Sequence, residues 1–477
     1  MLAHLIRKEL LDHISSLRFL ILSAVGTLVI WLSLYSGYLY YQNSLKDYGL
    51  AQAATANRIR EIDAARSYSE FVLQGYLEHR PPAVMGIFIR GLDAVLGRSI
   101  PNMFNRRSVR SWMEVKPLLA VFPPLDPGLV IQAVLSLFVL LMTYDAVCGE
   151  KEAGTLRLNA SFSVPRHRLL LGKFFGALLP TLSAFGLPLL LGTAVILAMP
   201  DVRFTDPELQ RLGLVMAAFG VYLTVFVCAG LLASCMTQRA STSFVVLLGF
   251  WVTAVVVLPR LSLIVADSVR PAASIHELEA DKEAITKANT QRWREARRAW
   301  SEAYAKSEGE AWWQSRKGQE LQRLDYRKTR QEVLFEPTQA AYERLEEAFR
   351  NRYQARLNLA VALARFSPAF AFNGATVRLA GTGMDRQARF LSVYDQYYAR
   401  HLTWYVDAVD DSYLKRINPD KYGEYTWDLS DMPRFTYQER WPEGEVRAAM
   451  VDVGILAIWG VLFFVGAYVK MLRYDVR

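Results

Sequence analysis

Cysteine is scarce. The 477 residues hold three, Cys148, Cys228 and Cys235, each in or beside an apolar run. The two long polar blocks hold none, which excludes a disulfide framework there, and no histidine stands near Cys228 or Cys235 at metal-ligand spacing. The thiols read as buried and inert. The six histidines, His4, His13, His79, His167, His276 and His401, are scattered, and neither G-x-S-x-G nor H-E-x-x-H occurs. No catalytic, metal or cofactor residue is therefore assigned, and the chain is not expected to be an enzyme. A phosphate loop is missing too: Gly172 and Lys173 are followed by Phe174, and His167 stands where the first glycine is needed. ATP and its Mg are not bound here by that route. The formal net charge is +9, but no stripe of Lys and Arg alternates with aromatics, so nucleic acid is not an expected partner.

What the chain has in quantity is apolar sequence: 52% of residues are hydrophobic and the mean hydropathy is +0.12. The apolar residues gather into six runs and the charge into two long blocks. The expected fold is an all-α polytopic membrane protein, with six transmembrane helices and two mainly helical extracytoplasmic blocks. Residues 1–18 place Leu2, Leu5, Ile6 and Leu10 at helical spacing, as in an amphipathic helix lying in the headgroup layer. The spans are expected at 19–41, 127–144, 174–199, 212–236, 240–258 and 448–469, with Pro259 and Arg260 at the outer boundary of the fifth. Between them lie a first block over 42–126 and a second over 259–447. In the first, 83–96 reads as a core or interfacial helix. In the second, a charged helix over 274–331, interrupted by Pro337 and resumed to Arg365, reads as a hairpin burying Trp293 and Trp300. Such a hairpin is either simply solvated or a surface for substrate or partner. Phe366–Phe372 reads as a turn and Ala375–Tyr413 as helix.

The segment 145–173, DAVCGEKEAGTLRLNASFSVPRHRLLLGK, is short, charged and pinned between two spans. It must face one aqueous compartment. Thr155 can cap a short helix through Leu158, and Pro165 ends it. By the rule that short cytoplasmic loops are rich in Lys and Arg, this side is cytoplasmic. It carries Arg7, Lys8 and Arg18, then Lys151, Arg157, Arg166, Arg168 and Lys173, then Arg239, Lys470, Arg473 and Arg477. Both termini join it, and the long blocks are extracytoplasmic. No charge is placed near the centre of a span; Asp452 is expected near an outer end, within reach of water.

The order of these features resembles the permease subunits of type-2 ABC exporters. The resemblance rests on the amphipathic start with Ile6, Lys8, Glu9 and Leu10, then on Gly149, Glu150, Lys151, Glu152, Gly154, Thr155 and Leu156 at the end of the second span. Pro165, Arg168, Leu171, Gly172 and Lys173 continue it. The family likeness implies a separately encoded ATPase that binds ATP and Mg, a second permease copy or a relative, and a bacterial cytoplasmic (inner) membrane location. It also implies an ATPase-coupling contact at Glu150, Glu152, Gly154, Thr155, Leu156 and Arg157. The large outer blocks depart from ordinary members; SPAFAF and GTGMDRQARFLSVYDQYY are similar to a bacterial subset with an insertion before the last span. The expected function is ATP-driven export of a substrate the sequence does not identify. Alternatives are mechanical drive of an extracytoplasmic partner without transport, and a membrane-anchored scaffold or sensor, for which the 145–173 charges only set topology.

Overall fold

In the computed structural model, the described residues are 2–65, 76–93, 95–102, 125–156, 165–271, 274–307, 330–417 and 431–474. Among them the chain is nearly all helix, with six helices long and apolar enough to cross a membrane. Two units are each described by themselves: residues 1–257 with 367–477, and Leu258–Phe366.

The larger unit opens with α1 (Leu2–Ile14) and α2 (Leu17–Ala65). α1 is packed on another helix. It runs along the start of the third span, where a Cβ added to Gly172 or Gly176 would meet Leu5 and Glu9 at 3.1 and 2.3 Å. Small residues four apart let two helix backbones approach this closely. α2 carries on past the expected span limit at 41, its 49 residues running unbroken from the first span into the first block. Ala51, Ala53, Ala54 and Ala56 favour helix, and no proline follows until Pro81.

The expected helix at 83–96 is only a single 3-10 turn, Val84–Ile87, closed in by Pro81, Pro82 and Gly91, whose φ is +51°. It is flanked by a short antiparallel pair that the sequence did not announce, β1 (Tyr76–His79) and β2 (Ser99–Asn102), with Glu78 opposite Ile100. The second span starts at Pro127–Leu129, passes a π-helical turn at Val130–Leu135 and continues as α3 (Ser136–Thr143). Then come α4 (Cys148–Glu152), α5 (Arg166–Leu197) and α6 (Asp206–Met236). The Glu208 carboxylate accepts both the backbone N–H and the hydroxyl of Thr205 at 2.8 Å, closing the first turn of α6. α7 (Ala240–Trp251) begins the fifth span. The helix does not stop at Pro259: a π-helical turn at Val252–Val257 leads into α8 (Leu258–Val269). A proline lacks an N–H and crowds the carbonyl four residues back, and the wider turn ahead of it removes that clash.

The smaller unit holds α8, α9 (Ile275–Ser307) and α10 (Glu336–Ala364). Pro337 does not interrupt α10 either, for a π-helical turn at Gln331–Phe335 precedes it. α9 and α10 pack antiparallel: Lys282 pairs with Glu346, Thr286 meets Tyr342, and Asn289 donates to Thr338 at 2.9 Å. Trp293 and Trp300 are half-buried in α9.

Back in the larger unit, the expected turn at 366–372 is the start of α11 (Pro368–Ala380), capped by Ser367, whose side chain accepts from Phe370 N–H. At 13 residues α11 is about 20 Å long, too short to span. Even so it is buried in the bundle: Phe372 stacks on Tyr222 of α6 with ring centroids 4.3 Å apart, and the Ser367 hydroxyl donates to the Ala254 carbonyl inside the π turn. The helix expected over 375–413 is broken at Gly381, whose φ is +61° and where a Cβ would strike Trp441. After it come α12 (Met384–Ile417) and α13 (Glu443–Leu472), the sixth span. Asp452 is not in reach of water: it is 1% exposed and paired with Arg378 of α11.

A buried ionic network ties the bundle end that carries β1 and β2. Asp93 binds Arg98 at 2.6 Å and Arg80 and Arg386 at 3.1 Å, and Arg386 also binds Glu439 at 2.7 Å. Arg389 pairs with Glu445, which also meets Arg211 of α6 at 3.3 Å. Burial alone would raise the Asp93 carboxyl, yet Arg98, Arg386 and Arg80 hold it down at about 2.

Candidate functional site: the 145–156 stretch

At the opposite end, Glu150, Lys151 and Glu152 each reach a different helix. Glu150 Oε1 accepts from Lys173 Nζ of α5 at 2.8 Å. Lys173 is 2% exposed; it also donates to the Ala146 carbonyl at 2.8 Å and lies 3.4 Å from Glu9 of α1. One ammonium therefore joins α1, α4 and α5. Lys151 Nζ donates to the carbonyls of Cys235 and Thr237 at 2.6 and 2.9 Å, where the C-terminus of α6 leaves acceptors unpaired. Glu152 Oε2 accepts the Ala240 N–H at 3.1 Å, at the N-terminus of α7. Anion at a helix N-terminus and cation at a C-terminus are the pairings that helix dipoles favour.

The stretch is held from its other side as well. Ser234 Oγ of α6 accepts Val147 N–H and Cys148 N–H at 2.8 and 2.9 Å, supplying the first turn of α4. Arg18 at the start of α2 binds Asp145 at 2.9 Å and lies over the Tyr144 ring. A displacement of α4 is thus felt by α2, α5, α6 and α7 together, because packed helices shift as bodies.

Of the residues singled out in the sequence, Glu152, Gly154 and Thr155 form an exposed edge. Gly154 sits at φ +75°, in the left-handed region that glycine enters freely, and ends α4 there. Thr155 is the first residue of the next helical turn, so it does not cap a helix, and Leu158 lies outside the described residues. Glu150 is half-buried and turned toward Lys173; its Oε2 has no hydrogen-bond partner among the described residues. Leu156 is fully buried, directed into the core and away from any outer face. Arg157 lies outside the described residues. The sequence does not mark Lys173, Ser234 or Arg18 as site residues: Ser234 and Arg18 meet partners 86 and 127 positions away, and Lys173 joins Glu150, 23 positions before it, to Glu9, 164 positions before it. Their one local signal is a polar side chain within an apolar helix end. Among the described residues no group of His, Cys, Asp and Glu could hold a metal.

Comparison with known proteins agrees with this architecture. Over 71 residues the chain is 42% identical to the probable ABC transporter permease protein NosY of Pseudomonas aeruginosa. That stretch is 14% of this chain and spans about a quarter (25%) of the relative. The family described as ABC-2 family transporter protein matches residues 3–476. The chain belongs to the ABC-2 transporter family, as a multi-pass membrane permease.

Proposed function

We propose that this chain couples ATP hydrolysis in its partner ATPase to export of a substrate across the bacterial cytoplasmic membrane, paired with a second permease. The observation that supports this most is the attachment of Glu150, Lys151 and Glu152 to three separate helices behind an exposed edge at Glu152–Thr155. A push on that edge by a closing ATPase dimer reaches four spans at once. The orientation that accompanies this reading puts both termini and the 145–156 stretch in the cytoplasm, where the short segments rich in Lys and Arg belong.

The test is recovery of the ATPase with the permease from the native host. Thr155 is exposed, so Thr155→Arg changes the outer edge without disturbing packing. The expected outcome is a monodisperse permease that has lost its ATPase, with hydrolysis falling to background. Retention of the full ATPase complement by Thr155→Arg and Gly154→Pro would sink the coupling reading and favour a scaffold.

A second reading is mechanical drive of an extracytoplasmic partner with no substrate passing through. It draws on α2, which at 49 residues is about 73 Å long against a hydrocarbon core of about 30 Å. Transport of candidate compounds into sealed inverted vesicles separates the two: ATP-dependent accumulation supports export, and hydrolysis without accumulation of any compound supports mechanical drive.

A further inference from the structure

At the end of the bundle opposite the 145–156 stretch, a cavity of about 620 Å³ is walled by α2, β1, α12 and the extended segment before α13. This is within the size of small-molecule sites, which run from about 300 to about 1,000 Å³. It is a constructed space. The hydroxyls of Tyr76 and Tyr397 are 3.0 Å apart, and Tyr397 also hydrogen-bonds Glu78, which is 8% exposed. Both ring nitrogens of His79 are engaged, Nδ1 with Ser99 Oγ at 2.8 Å and Nε2 with Thr55 Oγ1 at 3.1 Å.

Charge decides what fits. Among the described residues lining the space, the formally charged ones are Arg60, Arg434 and Glu78. Two guanidiniums against one buried carboxyl leave a positive surplus. Both arginines are exposed residues at the rim with free reach, while Phe435 and Tyr437 supply flat apolar wall. Guanidinium groups match planar or tetrahedral oxyanions, and aromatic walls stack against flat rings.

We propose that this cavity binds a small organic anion with a flat apolar body, its acid group held by Arg60 and Arg434 and its ring against Phe435 and Tyr437. The proposal does not depend on ATPase coupling or on the direction of transport.

Glu78 makes the site sensitive to pH. Burial pushes its carboxyl up to about 7, against the hydrogen bond from Tyr397 and the charge of Arg434. The other groups around it are accounted for element by element. On α12, burial takes His401, behind Tyr397, down to about 4 and raises the Tyr397 hydroxyl. On β1, burial lowers His79, and Tyr76 is tied to Tyr397. α2 presents Thr55, Tyr48 and Arg60, the segment before α13 presents Arg434 and Tyr437, and β2 opposes Glu78 with Ile100. Glu78 is the group whose charge changes near neutrality. Below about 7 it is neutral and tolerates an anion; above, its carboxylate repels one.

The experiment is calorimetric titration of the purified full-length chain in mild detergent with two probes that share a ring and never titrate, benzenesulfonate and benzyltrimethylammonium. Benzenesulfonate is expected to bind at pH 6 and to weaken on the order of tenfold by pH 8. Arg434→Ala is expected to lose it, and Glu78→Gln to bind with no pH dependence. Arg434 is exposed, so its replacement leaves the fold intact, and an unchanged melting temperature checks this. Binding of benzyltrimethylammonium in place of benzenesulfonate overturns the proposal in favour of a cage for organic cations. So does benzenesulfonate binding that survives Arg434→Ala combined with Arg60→Ala, or saturable binding of neither probe up to about 10 mM.

Discussion

Asp93 and Glu78 show how position rather than residue type sets what a carboxyl does. Asp93 is ringed by Arg98, Arg386 and Arg80 and is held at about 2. A depressed value means that its contribution to stability is complete above the unfolded value near 4 and drains away as pH falls toward 2. Glu78 is buried beside one arginine and is raised to about 7, so its contribution is complete below about 4.5 and is lost as pH rises through 7. Melting in detergent as a function of pH is expected to fall on both sides, and Glu78→Gln should flatten only the neutral side. Asp93→Ala leaves three guanidiniums around an empty site and is expected to cost about 3–5 kcal/mol, whereas loss of an exposed pair such as Arg356 with Asp267 should cost under about 1 kcal/mol. Gly154→Ala meets nothing within 4 Å, so its cost is the backbone strain alone, about 1 kcal/mol, read as a small shift in melting midpoint with the ATPase retained.

Helices in this chain end where capping and packing end them, and that explains what could be read from the sequence and what could not. Six apolar runs were legible because a bilayer requires about 20 apolar residues in succession, a demand that no tertiary context removes. The ends of the helices that carry them were not. Pro259 and Pro337 each read as a stop, and each is preceded by a π-helical turn that lets the helix continue. The continuity of α2 across 41 was not legible, because hydropathy falls at Gln42 while helix propensity does not. Glu150, Lys151 and Glu152 stood out through their placement between two spans, but nothing local revealed that each is held by a different helix, or that the lysine on Glu150, Lys173, also meets Glu9, 164 positions before it. The contact between α1 and α5 gives a test at this scale. Gly176→Leu is expected to drive α1 off α5, because even a Cβ there would lie 2.3 Å from that of Glu9. A cysteine pair replacing Leu5 and Gly172 should cross-link in the otherwise native protein and fail to cross-link when Gly176→Leu is added.

For the whole molecule, the arrangement divides labour between two ends of one bundle. One end gathers α1, α4 and four spans around Lys173 and Lys151; the other is laced by the Asp93 network and holds the anion-complementary cavity. Reporter fusions check the assignment of compartments: a fluorescent protein at the C-terminus is expected to fluoresce, and alkaline phosphatase inserted in α9 is expected to be active. The reverse pair of results would invert the topology. α2 joins the two ends as one continuous helix, and the span expected at 19–41 would put the bilayer midplane near Ile30, about a quarter of the way along it. Travel on a pivoted rod scales with distance from the pivot. Were α2 to pivot near Ile30, about 20 Å of it would lie on one side and about 53 Å on the other, so a shift of about 2 Å at Leu17 would become about 5 Å at Ala65. The same ratio would divide the force, gearing the far tip for reach rather than thrust.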